Sequence, residues 1–272
     1  MNRGLIIKTV RETCVGTLLF GIGLMGIEVA LAYVIPAFLK QEVAGQWLQL
    51  EFVQNILKGL LSTEVAGAVG PGAFDAIPWV HPIVLTLIWA HEITFCTRLP
   101  AGEVDRGTID VLLGLPVSRV QIYLCESTVW AASGLVVIIL GLSGNLLGGW
   151  LVASEFGRTP GQLTIIIANL YCLYLAVGGV TWLVSSLSDR RGAAVGIVFA
   201  IVLASFLLNF LAQFWDFAKA LSFLSVLNYY RPLLILRAPS WPVADMLVLI
   251  AVGASAWVVG AMVFARRNIC TV

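Results

Sequence analysis

A chain of 272 residues, 60% hydrophobic and 11% charged, lies outside the range of soluble domains, in which about a quarter of residues are charged; it reads as an integral membrane protein. The formal net charge of +1 says nothing about nucleic acid, and no basic run suggests it, so no nucleic-acid partner is expected. The five cysteines, Cys14, Cys96, Cys125, Cys172 and Cys270, contain no close pair and imply neither a disulfide framework nor a thiolate metal site.

A hydrocarbon core of about 30 Å takes roughly 20 residues of helix. Six stretches qualify: Thr13 to Phe38, Ile77 to Cys96, Val120 to Val152, Gln162 to Leu187, Ala193 to Gln213 and Val243 to Ala265. The first, third and fourth exceed one crossing, which predicts tilt, kinks or protruding ends. The expected fold is therefore all-α: one polytopic domain over residues 1–272 with six transmembrane helices.

Along the chain, Met1 to Glu12 sets Leu5, Ile6, Ile7 and Val10 among Arg3, Lys8 and Arg11. That suits either a short helix in the headgroup plane or a basic flank that sets topology. The first apolar run is too long for a signal-peptide core and lacks a small-residue cleavage pattern, so it is expected to stay as the first crossing. Leu39 to Ala76 carries Trp47, Leu48, Phe52, Val53, Ile56, Leu57 and Leu60 at helical spacing among polar residues, which predicts an amphipathic external helix ended by Gly70-Pro71-Gly72.

Between the second and third crossings lies Ala101 to Arg119, a charged amphipathic segment. Read as a helix from Gly102 at about 100° per residue, it places Glu103, Arg106 and Asp110 on one side and Val104, Thr108, Val111, Leu112 and Leu115 on the other. Gly114 and Pro116 stop such a helix, and Ser118 with Gln121 can form a capping box for the next. Further on, Thr159-Pro160-Gly161-Gln162 supplies a capping Thr, Pro at the first helical position and Gln at the third, a start for the fourth crossing. Phe214 to Pro242, with Trp215, Phe217, Phe223, Tyr229, Tyr230 and Trp241, suits an interfacial aromatic belt with one or two short external helices before the last crossing.

With the N-terminus inside, the cytosolic side would hold Arg3, Lys8, Arg11, Arg98, Arg106, Arg119, Arg190, Arg191, Arg266 and Arg267, ten of the 16 basic residues. The positive-inside rule favours that orientation, with both termini cytosolic in a cell membrane. Small residues recur as Gly178-Gly179, Ser185-Ser186, Gly192-Ala193-Ala194 and Gly196, allowing close helix approach either within one subunit or between subunits.

Three carboxylates fall inside apolar helices, Glu28, Glu92 and Glu126. An ionised group near the bilayer centre costs about 2.5–3.5 kcal/mol on insertion scales, so each should face protein or water and find a partner. Glu92 and Glu126 lie near cytosolic helix ends, where Arg98, Arg106 and Arg119 could pair with them; a buried or interfacial ion pair is the favoured reading, and a place on a substrate path the other. Glu28 lies deeper and suits either a substrate path or an interhelical hydrogen bond. The two histidines, His81 and His91, sit roughly 80° apart on a helix and make no H-E-x-x-H zinc site. No metal site is expected, and no P-loop is present to bind nucleotide.

At Glu103-x-x-Arg106-Gly107-Thr108-Ile109-x-x-Leu112-Leu113-x-x-Pro116-Val117-Ser118-Arg119 the sequence resembles the membrane subunits of ABC transporters of the second, exporter-like type. Six crossings, a cytosolic N-terminal helix and an aromatic external segment before the last crossing extend the likeness. The resemblance implies that Glu103 to Leu115 is a coupling helix docking on a separate ATP-binding subunit, with Glu103, Asp105, Arg106 and Asp110 making contacts, and Gly107, Thr108, Leu112, Pro116 and Arg119 completing the motif. It also implies that this chain is no enzyme, that ATP and Mg2+ sit on the partner, and that a second permease copy or a related permease shares the membrane lipid with it. A lysine that such permeases commonly carry after the Ser-Arg pair is replaced here by Cys125-Glu126. Two other readings stand beside this one: an intramembrane enzyme acting on lipid, which lacks a convergent set of catalytic groups, and an ion-coupled secondary transporter using Glu28 as a proton carrier, for which inverted halves are expected and none is evident in the sequence.

Overall fold

The computed structural model describes residues 2–61, 71–114, 116–152 and 159–268. Among these residues there is no strand, and six helices are long and apolar enough to cross a membrane. The chain is a multi-pass membrane protein.

Helix α1 (Arg3–Leu39) opens on Asn2, whose side chain accepts the Gly4 N–H. Its 37 residues span about 55 Å at 1.5 Å each, far more than one bilayer core. Residues before Thr13 continue the crossing rather than turning into the headgroup plane. No breaker interrupts them; a Lys8–Glu12 pair one turn apart (3.1 Å) and a hydrogen bond from Thr9 Oγ1 to Glu126 Oε1 (2.7 Å) hold them on the helix axis.

The stretch after α1 forms two helices, α2 (Glu42–Gln49) and α3 (Glu51–Leu61), where one amphipathic helix was expected. Leu50 between them is extended. Gly70 and Cys270 fall outside the described residues. The second crossing is built from α4 (Pro71–Val80) and α5 (Pro82–Cys96), broken at His81. Pro82 cannot donate and biases the residue before it away from the α region; His81 is extended, and its ring accepts the Ile83 N–H (3.3 Å).

A π-helical turn, Arg98–Gly102, leads to the short helices α6 (Glu103–Asp105) and α7 (Ile109–Leu113). Helix α8 (Arg119–Leu151) starts where Ser118 Oγ accepts the Gln121 N–H (3.2 Å). Helix α9 (Pro160–Leu187) carries the full expected box: Thr159 Oγ1 accepts the Gln162 N–H (3.3 Å) and Gln162 Oε1 accepts the Thr159 N–H (2.8 Å). Helix α10 (Arg191–Leu211) follows after three residues. The aromatic segment then folds as α11 (Asp216–Ala220), two 3₁₀ turns and α12 (Pro232–Arg237), before α13 (Val243–Arg266).

The crossings alternate in direction. Both described ends of the chain, the 98–119 segment and the α9–α10 link share one end of the bundle, hereafter the polar end. At the other end, Tyr230 donates to the Trp79 carbonyl (3.1 Å) and Gln162 to that of Leu236 (2.9 Å), binding the aromatic segment to α4 and α9.

Two parallel helix pairs dominate the packing. Helix α8 lies along α1: a Cβ on Gly144 would stand 2.3 Å from the Met25 carbonyl oxygen, and one on Gly148 2.7 Å from that of Val29. Helix α13 lies along α9 in the same way, a Cβ on Gly179 falling 2.1 Å from the Gly253 carbonyl oxygen. The first three crossings and the last three thus repeat one plan in opposite senses, the outer two of each triplet running parallel in contact. Between them, Trp130 stacks on Tyr174 (5.4 Å) and Tyr123 meets Trp182 edge-on (4.8 Å).

The small residues divide by face. Gly178 and Gly179 pack inside the bundle, whereas Gly192 and Gly196 on α10 have nothing within 4 Å of a would-be Cβ.

Candidate functional site

The segment expected to be one amphipathic helix from Glu103 to Leu115 is two helical turns with a break. Gly107, at φ +68, occupies the left-handed region that residues with a Cβ avoid, and it turns the chain between α6 and α7. The Glu103 carboxylate accepts from Arg106 (2.8 Å) and from the Thr108 hydroxyl. Thr108 therefore joins the polar network rather than the apolar face. Ile109 and Leu112 are buried under the segment, while Asp105, Asp110 and Pro116 are exposed. Val111 is 75% exposed and the Arg106 side chain 56%. Gly114 closes α7 by donating to the Asp110 carbonyl (2.8 Å); Leu115 falls outside the described residues.

This broken helix is fastened to the bundle by specific polar contacts. Ser185 Oγ on α9 donates to the Leu99 carbonyl (3.2 Å) and accepts the Ala101 N–H (3.3 Å). The Asp105 carboxylate accepts the backbone N–H of Arg191, the first residue of α10 (3.3 Å). The Arg191 guanidinium donates to the Thr94 carbonyl (3.0 Å) and meets Thr97 Oγ1 at 3.5 Å. Arg119 was expected to serve a buried glutamate, but it donates to the carbonyls of Arg267 (2.5 Å) and Phe264 (3.4 Å). Arg267 donates in turn to Ser186 (2.8 Å) and Ser188 (3.1 Å) and pairs with Asp189. The starts of α8 and α10 and the ends of α5, α9 and α13 are thereby tied together around residues 98–119.

The three membrane carboxylates have three different environments. Glu126 is the clearest ion pair: Arg98 bridges it and Glu12, and Thr9 donates to its other oxygen. Burial works against the charge on Arg98, but Glu126 and Glu12 outweigh it and hold the guanidinium above its ordinary pKa. Glu28 is buried in the α1–α8 seam, where Asn145 Nδ2 donates to it across the two helices (2.7 Å).

Glu92 departs from expectation. It is fully buried and makes no ion pair among the described residues, and the backbone of Gly178 is the polar group that approaches its carboxylate. Its Oε1 lies against Gly178, beside the Trp130 ring. Arg98 and Arg119 have turned to other partners, and Arg106 is held outside the bundle by Glu103, so none of the three arginines expected to pair with Glu92 does so.

The His91 ring lies between Thr17 Oγ1 (3.3 Å) and Tyr174 OH (3.4 Å) and lines a cleft shared with Glu12, Arg98 and Arg191. Among the described residues no three His, Cys, Asp or Glu side chains gather closely enough to hold a metal ion.

Sequence reasoning named Arg98 but missed Thr9, Glu12, Asn145 and Arg191 as partners. Arg191 carried a signal, an arginine pair between two apolar runs; Asn145 carried one too, as a lone amide inside an apolar helix, where a polar group is expected to find a partner. No protein-family model matches the chain, and neither a curated protein nor a solved structure matches it.

Proposed function

We propose that this chain is the membrane-spanning permease subunit of an ATP-driven ABC transporter, working as an exporter with its polar end in the cytosol of a cell. The reading rests on the motif from Glu103 to Arg119 and on one structural observation. That segment projects exposed Val111, Asp110 and Arg106 while it joins the ends of α5 and α8 and is fastened, through its backbone at Ala101 and the side chains of Asp105 and Arg119, to α9, α10 and the end of α13. A push on such a lever can change the tilt of the helices it grips, provided the pushing partner binds it differently in different nucleotide states. ATP and Mg2+ belong to a separate ATP-binding subunit, and a second permease copy or related permease completes the pathway.

Co-purification tests this. The unaltered chain carries a nucleotide-binding subunit through affinity and sizing columns. Arg106→Glu, which sets two carboxylates together, and Val111→Asp, at an exposed site, each weaken that association by about 2 kcal/mol, the scale of an interface hot spot. Both leave membrane insertion and helical content unchanged. An intact complex with normal ATP hydrolysis in both variants removes the docking role.

A second reading, an ion-coupled transporter, draws on one observation: among the described residues Glu92 has no ion-pair partner where α5 of the first triplet meets α9 of the inverted second. Uptake by the reconstituted chain alone, driven by a proton gradient with no nucleotide present, would select it over the first.

A further inference from the structure

At the polar end a cleft of about 120 Å³ opens between α1, α5 and the start of α10. Its mouth carries Glu12, Arg98 and Arg191; deeper walls are Thr17, Phe20 and Phe95. These layers match the boundary of the bilayer, since Arg98 follows the last residues of α5, Arg191 opens α10, and the phenyl rings lie on the apolar runs.

The charges at the mouth do not balance. Lys8 and Arg98 are matched by Glu12 and Glu126 in one continuous chain of pairs. Arg191 is left over. Its guanidinium contacts a carbonyl and a hydroxyl and forms no direct ion pair among the described residues; the Asp105 carboxylate faces the Arg191 backbone N–H, and the charges of Arg106 and Arg98 act on the guanidinium more strongly than that carboxylate does. A half-buried guanidinium in a positive surrounding, with no carboxylate in direct contact, attracts an anion, and Arg presents a planar fork suited to phosphate oxygens. Gly16 leaves the α1 wall open, with nothing within 4 Å of a would-be Cβ.

We propose that this cleft binds the phosphate headgroup of an anionic lipid, with Arg191 as its charged contact and an acyl chain passing over Phe20 and Phe95. Basic pockets between transmembrane helices take anionic headgroups in this manner. The shared chemistry is a phosphate anion; the apolar wall directly below the charge favours lipid over inorganic phosphate as its source. The site does not depend on an ATPase partner.

Native mass spectrometry of the purified protein from mixed micelles, with phosphatidylglycerol or phosphatidylcholine as probe, reads this out. The parent chain retains phosphatidylglycerol and not phosphatidylcholine. Arg191→Gln lowers phosphatidylglycerol affinity by roughly tenfold, the order of one charge-assisted contact. Arg190→Gln, which removes the same charge from the exposed neighbour, leaves it unchanged. Gly16→Leu fills the cleft and abolishes retention while the protein stays monodisperse and at least as heat-stable, because leucine is the better helix former. Equal losses in the two arginine variants would mean general surface attraction and overturn the site, as would full retention in Gly16→Leu. Inorganic phosphate that stabilises the protein in phosphatidylcholine as well as phosphatidylglycerol does would overturn the lipid assignment.

Discussion

Glu126 and Glu92 are both glutamates near the polar ends of apolar helices, and only their neighbours distinguish them. Glu126 meets Arg98 and Thr9; Glu92 meets a glycine and an indole ring. Removing one partner of a buried pair leaves the other charge uncompensated, at a cost of about 3–5 kcal/mol. Glu126→Gln, which strands Arg98 with Glu12 alone, should lie near the lower end of that range and show as a clear drop in the thermal midpoint in detergent. Glu92→Met removes two orphaned oxygens at similar volume and should raise the midpoint, since replacing an unsatisfied polar group by an apolar one of similar shape is neutral or stabilising. That the three acids needed protein neighbours was legible in the sequence. Which arginine served which acid was not, because sequence distance points the wrong way: Arg98 serves Glu126, 28 residues away, while the much nearer Arg119 turns to the carbonyls of Phe264 and Arg267.

At the scale of helices, boundaries followed local chemistry closely. Thr159 with Gln162 started α9, Ser118 started α8, and α13 runs from Val243 as expected. The element most prominent in the sequence was also the one misread. A helical wheel drawn over Glu103 to Leu115 assumes helical dihedrals throughout, and Gly107 breaks that assumption with a positive φ. The glycines divide into two mechanical classes with opposite expectations. Gly179→Ala drives a Cβ against the Gly253 backbone and should cost about 1–3 kcal/mol, as overpacking does. Gly196→Ala meets open space and should gain roughly 0.5–1 kcal/mol from helix propensity. Parallel thermal melts of the two variants check the contrast; equal shifts would mean that the α9–α13 contact is looser than the geometry states.

For the whole molecule, alternation of six crossings puts residues 98–119 and both described ends of the chain on one side. Cysteines introduced at exposed Val111 and Asn268 should therefore react with an impermeant thiol reagent from the same side of a sealed vesicle, and a cysteine at exposed Phe52 only from the other. Labelling of Val111→Cys and Phe52→Cys from one side would contradict the alternation. The inverted plan of the two triplets belongs to this scale as well. It leaves no trace as a sequence repeat, because close parallel packing requires only small residues at spaced positions, and many sequences supply those.

Sequence alone determined that the chain is helical, how many times it can cross a membrane and where most crossings begin and end. Those properties depend on the hydropathy of about 20 consecutive residues and on caps within one turn, all of it local. Tertiary structure alone decided that Arg98 rather than Arg119 serves Glu126, and that among the described residues neither Glu92 nor the Arg191 guanidinium makes a direct ion pair. Each of these depends on side chains brought together from distant parts of the chain, and a buried charge answers to the distance of its neighbours in space rather than to their order in the sequence.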